Sequence, residues 1–179
     1  MKKTVLGLAA VAASLILASP AFAALKVGDK APAFDIPVAT DGVVSTFSLQ
    51  SALKKGPVVV YFYPKAFTGG CSLEAHQFSE AIPAFDAKHV TVVGISTDEI
   101  GTLQKFSKEV CQGKFPVGAD TKAVVTSAYD AKMGAMNMSN RISYVIGTDG
   151  KIVFVHDSGD ASTHVSTLLQ AVGAGKAGK

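Results

Sequence analysis

The chain has 179 residues, 48% of them hydrophobic, with 17 Lys+Arg against 14 Asp+Glu and a formal charge of +3. So mild a charge, with lysines scattered singly beyond the first residues except at Lys54-Lys55, argues against nucleic acid or an anionic membrane as the main partner.

Lys2-Lys3, the apolar run Val5 to Ala18, Ser19-Pro20 and the small-residue triplet Ala21-Phe22-Ala23 read as a secretory signal cleaved after Ala23, which predicts a periplasmic protein. The competing reading is a membrane anchor, but the run falls short of the roughly 20 residues a spanning helix needs. Removing the signal leaves 179 − 23 = 156 residues and a charge of 15 − 14 = +1, which fits one domain with a sizeable core. The domain is expected over residues 24–172, and the Gly/Ala/Lys tail 173–179, with little to bury, is expected to be disordered.

From Ala24 to Leu49 the pattern is short strands and turns, with Asp41-Gly42 as a hairpin signal. Val58-Val59-Val60-Tyr61-Phe62 is a continuous β-branched and aromatic run, a strand buried on both faces, and Pro64 stops it. After Thr68-Gly69-Gly70, the spacing of Ala75, Phe78, Ile82 and Phe85 predicts a helix with Cys71 at or near its start and a kink or break at Pro83. Val90 to Ile95 is a second buried strand. Asp98 then offers an N-cap for a helix carrying Ile100, Leu103, Phe106 and Val110, with Cys111 at its end. A helix over 122–131, two strands (142–146 and 151–156) joined through Asp149-Gly150, and a helix over 161–172 complete the chain. This order predicts a thioredoxin-like α/β domain with an N-terminal β extension and an inserted helix.

Two cysteines, Cys71 and Cys111, remain in a chain bound for an oxidising compartment. A structural disulfide between them would close a loop of about 40 residues, worth about 4 kcal/mol in the chain-entropy model. A catalytic thiol would instead need nearby positive potential, and a helix N-terminus preceded by Gly69-Gly70 supplies part of it. Arg141, the one arginine of the chain, is a candidate partner for a thiolate, with Glu74, one turn after Cys71, to orient it; a surface salt bridge is the alternative. His76, His89, His156 and His164 are scattered without metal-site spacing. Met133, Met136 and Met138 crowd a loop before Arg141, as hydrophobic lining or an association surface.

Pro64-Lys65-Ala66-Phe67-Thr68-Gly69-Gly70-Cys71 resembles the peroxiredoxin signature of proline, three residues, threonine, two residues and cysteine. Phe34, Asp41-Gly42, Tyr61-Phe62-Tyr63-Pro64, Phe115-Pro116 with Asp120, Arg141 and Asp149-Gly150-Lys151 also fall in that family's order, most like its bacterioferritin-comigratory-protein subfamily. The resemblance implies a peroxidase acting on hydrogen peroxide and small organic hydroperoxides, with neither metal nor organic cofactor. It implies Cys71 as the attacking thiol, Thr68 hydrogen-bonding the peroxide and the sulfur, Pro64 as a shield against water, Arg141 stabilising thiolate and leaving oxygen, and Glu74 positioning Arg141. Many members of the subfamily carry a resolving cysteine five residues after the first, where this chain has His76. Cys111 resembles the variant whose resolving cysteine lies in the following helix, giving an intramolecular disulfide. The two helix ends are then expected to unwind during the cycle. A periplasmic dithiol carrier is the implied reductant, and the state a monomer or weak dimer. The rival readings are a thiol–disulfide exchange protein, against which the missing Cys-x-x-Cys pair counts, and a non-enzymatic binding domain with a structural disulfide.

Overall fold

The computed structural model describes residues 25–175. The expected signal and its cleavage point, in residues 1–23, and residues 176–179 of the tail lie outside the described residues. Among the described residues no helix is long and apolar enough to cross a membrane.

Seven strands form one mixed sheet. β1 (Asp35–Thr40) and β2 (Val43–Ser48) make the expected antiparallel hairpin, turning at Asp41 and Gly42, both with left-handed φ. At the centre, β3 (Val58–Phe62) pairs parallel with β4 (Thr91–Ser96) and antiparallel with β6 (Ile142–Ile146). β7 (Ile152–Asp157) closes one edge, and β5 (Val117–Ala119) links β4 to β1. The absence of alternation in β3 now has its cause. Val59 and Tyr61 face one apolar cluster while Val58, Val60 and Phe62 face the other. The first cluster lies under α2 (Gly69–Asp86), α3 (Ile100–Glu109) and α5 (His164–Gly173). The second lies under α1 (Leu49–Leu53) and α4 (Val124–Ala128). Each large side chain buried here contributes about 1.5–3 kcal/mol of transfer free energy, so the layers are held from both faces.

One contact registers α2 on the sheet. The rings of Tyr61 and Phe78 stack at 4.2 Å with their planes 19° apart. The space exists because residue 94 is glycine: a Cβ there would stand 2.6 Å from Tyr61 Cζ. Phe78 lies two turns beyond Cys71 in the same helix, so the stack fixes where Cys71 sits above the end of β3.

Four expectations need correcting. Asp98 does not cap α3; the N-cap is Glu99, with no side-chain bond, because the Asp98 carboxylate accepts instead from Ala66 N at 2.8 Å and Ser96 Oγ at 2.9 Å. The helix over 122–131 shrinks to α4. Asp120 accepts from Val124 N, Thr126 N and Thr126 Oγ1, and left-handed Ala123 precedes the helix, so its start is set by the loop. Pro83 does not divide α2, which runs unbroken for 18 residues; Pro83 lies in its last turn, so the one i→i−4 bond that its missing N–H forgoes falls near the helix end. The last helix takes in Gly173, one residue of the expected tail.

Candidate active site

Cys71 is the third residue of α2, within the first turn, where backbone N–H groups lack intrahelical partners and the helix dipole favours negative charge. The N-cap is Thr68, in extended conformation. The loop ahead of it is anchored by the bond from Ala66 N to Asp98, a role for Asp98 that sequence spacing did not reveal. Cys71 is 2% exposed, so its surroundings rather than bulk water govern its charge.

Arg141, directly before β6, reaches across to this turn. Its Nη2 donates to Cys71 Sγ at 3.4 Å, and its Nη1 donates to Glu74 Oε2 in a close ion pair. The Arg141 side chain is 9% exposed and that of Glu74 fully buried, which removes the surface-salt-bridge alternative. Gly70 makes the approach possible, since a Cβ there would lie 3.2 Å from Arg141 Nη2. A Cβ at Gly69 would meet nothing within 4 Å. Of the glycine pair it is therefore Gly70 that admits the guanidinium.

Burial opposes the charge of Arg141, but Glu74 and the contact with Cys71 outweigh it and hold the guanidinium above its ordinary value. Burial pushes the Glu74 carboxyl up to about 7, against the charge and hydrogen bond of Arg141, which pull it down. The other Glu74 oxygen, Oε1, is buried without a hydrogen-bond partner and lies 3.5 Å from His164 Nδ1. His164, at the start of α5, was read from sequence only as a scattered histidine. Its partners come from β6 and the loop after β7, so no sequence spacing could have revealed it.

Of the remaining expected residues, half-buried Pro64 follows β3 and leads into the loop that carries Thr68. The Thr68 hydroxyl donates to the Lys65 carbonyl at 2.9 Å, not to the sulfur, which leaves its oxygen free to accept. Cys111 is brought into the same apolar cluster as Cys71, and both are free thiols. It lies just past α3, fully buried, and burial pushes its thiol up to about 12. Its carbonyl accepts from Ser79 Oγ of α2 at 3.0 Å and from Lys114 N at 3.1 Å, while Gln112 and Gly113 follow with left-handed φ. His76 is exposed on α2, 3.4 Å from Glu80 and 3.4 Å from the Gln112 side chain. In the methionine loop, Met133 N donates to Met138 O, and Met136 is 53% exposed.

A thiol at a helix start, contacted by a largely enclosed arginine that a buried carboxylate orients, is an arrangement for nucleophilic sulfur chemistry. Comparison with known proteins agrees. The family model described as AhpC/TSA family matches residues 27–155. Peroxiredoxin Bcp of Escherichia coli (strain K12) is 32% identical over 159 residues, covering 81% of this chain and 94% of that protein. The crystal structure of peroxidoxin BcpB from Mycobacterium tuberculosis superposes with a TM-score of 0.77 at 31% identity, covering 84% of this chain and 97% of that one. A Xanthomonas campestris bacterioferritin comigratory protein shares the fold, with a TM-score of 0.69 at 23% identity over 79% of this chain and 92% of that one. The expected thioredoxin-like architecture is therefore the one these relatives share. The chain belongs to the AhpC/TSA family and is a peroxiredoxin, a thiol-dependent peroxidase.

Proposed function

We propose that Cys71 is the attacking thiol of a hydroperoxide reductase in which Arg141 carries the charge stabilisation and Cys111 resolves the product. The observation that supports this most directly is the guanidinium shared between Cys71 Sγ and Glu74. The Cys71 thiolate attacks the terminal oxygen of ROOH, an S–O bond forms as the O–O bond breaks, and the departing RO⁻ takes up a proton to leave as ROH. Arg141 can donate to the sulfur before attack and to the leaving oxygen after it. The Thr68 hydroxyl donates to the Lys65 carbonyl, and its oxygen accepts from the hydroxyl of the peroxide. Pro64 helps keep water from the sulfur.

The resulting sulfenic acid is two electrons oxidised. Attack by the Cys111 sulfur forms an S–S bond and releases water, and a dithiol carrier then restores both thiols by exchange. A fully buried thiol pushed up to about 12 is a poor nucleophile where it stands. The turn around Cys111 and the first turn of α2 therefore unfold locally between the two steps. The substrates are hydrogen peroxide and small organic hydroperoxides, the protein acts as a monomer or weak dimer, and residues 1–23 direct it to the periplasm, where a thioredoxin-like dithiol serves as reductant.

One equivalent of hydrogen peroxide added to reduced protein, followed by peptide mapping, tests the pairing. An intramolecular Cys71–Cys111 disulfide is expected; a disulfide between chains, or a persistent sulfenic acid with Cys111 still reduced, rejects Cys111 as the resolving residue. Sequencing the N-terminus of protein recovered from the periplasmic fraction tests export, with Ala24 expected first.

A further inference from the structure

Glu74 Oε1 is a buried carboxylate oxygen with no hydrogen-bond partner, and such an atom is costly unless a proton or donor meets it. The nearest candidate is the imidazole of His164, itself fully buried, with Nδ1 at 3.5 Å. The other contacts of the ring fix how it is protonated. Nε2 lies 2.9 Å from the Ser158 carbonyl, which can only accept, so Nε2 carries a hydrogen. Nδ1 lies 2.7 Å from the Ser143 hydroxyl, which can donate to it. With a neutral ring of this tautomer and an ionised Glu74, two lone pairs would face each other across the Oε1–Nδ1 gap. One added proton removes the conflict, either on Oε1, or on Nδ1 with the Ser143 hydroxyl turning to accept.

Both protonated forms have the same consequence for Arg141. The Glu74–His164 pair becomes neutral overall, so the uncompensated negative charge facing the guanidinium is that of the Cys71 sulfur. When the proton is lost, carboxylate and thiolate compete for one cation. We propose that His164 is a positioning residue that shares one proton with Glu74 while Cys71 is ionised, and so prevents Glu74 from drawing the Arg141 charge away from the thiolate. This rests on the reading of Cys71 as the attacking thiol. Burial pushes Glu74 up to about 7 and His164 down to about 4, so the proton sits mainly on the carboxyl side. The other titratable groups facing the imidazole are Arg141 at the head of β6, His156 and Asp157 of β7, and Asp160 ahead of α5. The His156 ring packs against His164 edge-on, with centroids 4.5 Å apart, and its Nε2 is engaged by Thr163 Oγ1, so it does not reach Glu74 through that nitrogen.

The test is a double-mutant cycle read through the pH midpoint of the Cys71 thiolate, followed by ultraviolet absorbance in Cys111→Ser protein so that one thiol is observed. In His164→Gln the side-chain amide can donate to Oε1 and satisfy the ionised carboxylate, so the Cys71 midpoint should rise by roughly one unit, with about tenfold slower peroxide reduction below it. In the Glu74→Gln background the same His164→Gln change should leave the midpoint where it is. An unmoved midpoint in the first case, or an equal shift in both, overturns the role of His164, since a merely structural histidine would not act through Glu74. Should His164→Gln fail to fold, ¹⁵N-histidine spectra of unmodified and Cys71→Ser protein still decide. The Nδ1 signal should titrate roughly one unit higher when the Cys71 thiolate is present, and coincident titrations overturn the proposal. Peroxide reduction that persists in Cys71→Ser protein overturns the reading of Cys71 and this inference together; a normal Cys71 reaction with an unmoved midpoint overturns this inference alone.

Discussion

Gly70 and Arg141 are packed so closely that a Cβ on the glycine would stand 3.2 Å from the Nη2 that donates to Cys71 Sγ at 3.4 Å. The guanidinium has little freedom to retreat, because its other nitrogen is paired with buried Glu74. Gly70→Ala is therefore expected to preserve the fold, since residue 70 lies in an exposed helical turn where alanine is well tolerated. It should nevertheless slow the reaction of Cys71 with peroxide by about tenfold, the equivalent of about 1.4 kcal/mol of lost transition-state stabilisation. Rapid-mixing measurement of thiol oxidation, alongside a urea melt, separates the two effects.

Arg141→Lys keeps a positive charge but removes the fork that lets one side chain hold Cys71 and Glu74 at once. A drop of roughly 10²-fold in the second-order rate constant with hydrogen peroxide is expected, the size seen when one oxyanion donor is removed. A lysine variant within twofold of the unmodified protein would show that charge alone suffices.

Stability should depend on pH through two buried groups of opposite sign. The Glu74 pKa is raised from its ordinary 4.5 to about 7, so the folded state holds more protons than the unfolded one and stability falls as pH rises through that window. The His164 pKa is lowered from 6.5 to about 4, so its contribution is present above 6.5 and is lost as pH falls toward 4. Between about 4.5 and 6.5 the slopes oppose, and the urea midpoint of the unmodified protein should be nearly flat as far as these two groups decide it. Glu74→Gln leaves the histidine slope exposed. Its urea midpoint should climb between pH 4.5 and 6.5, which equilibrium unfolding at a series of pH values will show.

Resolution should be governed by how firmly the Cys111 turn is held. Ser79→Ala removes the hydroxyl that donates to the Cys111 carbonyl, at a cost of about 1 kcal/mol in a buried site. In the resolution step proposed for Cys111 that bond breaks before the two sulfurs meet, so the variant should form the disulfide several-fold faster after peroxide addition and suffer less overoxidation of Cys71. Mass spectrometry of time-quenched samples distinguishes sulfenic, sulfinic and disulfide forms.

The packing that sets α2 on the sheet offers a stability test away from the chemistry. Gly94→Ala would place a methyl 2.6 Å from Tyr61 Cζ, and Tyr61 is clamped between the sheet and Phe78. Overpacking of this kind costs about 1–3 kcal/mol, to be read as a lowered urea midpoint with little change in the slope.

What could be read from the chain was what local pattern controls. The run Val58–Phe62 is wholly β-branched and aromatic, and Ile142–Ile146 is so but for Ser143, which suits both to buried strands, and the Asp41-Gly42 turn carries its own backbone preference. The site was legible for a related reason: Cys71 and Glu74 share one helical turn, and Arg141 is the chain's one guanidinium. Tertiary contacts decided the rest. Asp98 had the sequence position of a cap but found Ala66 N across the loop, and Asp120 organised a segment whose own pattern suggested a longer helix. β5, three residues including Gly118, has too little pattern to announce itself and is fixed by β1 and β4 on either side. His164 joins the site only because α5 packs beside α2, a relation between positions 90 residues apart.

In the proposed reaction Cys71 is the thiol that peroxide oxidises. Reduced protein mixed rapidly with one equivalent of hydrogen peroxide should lose its thiols quickly in the unmodified form and in Cys111→Ser, but only at the rate of an ordinary thiol in Cys71→Ser. Equally fast loss in Cys71→Ser protein would contradict it.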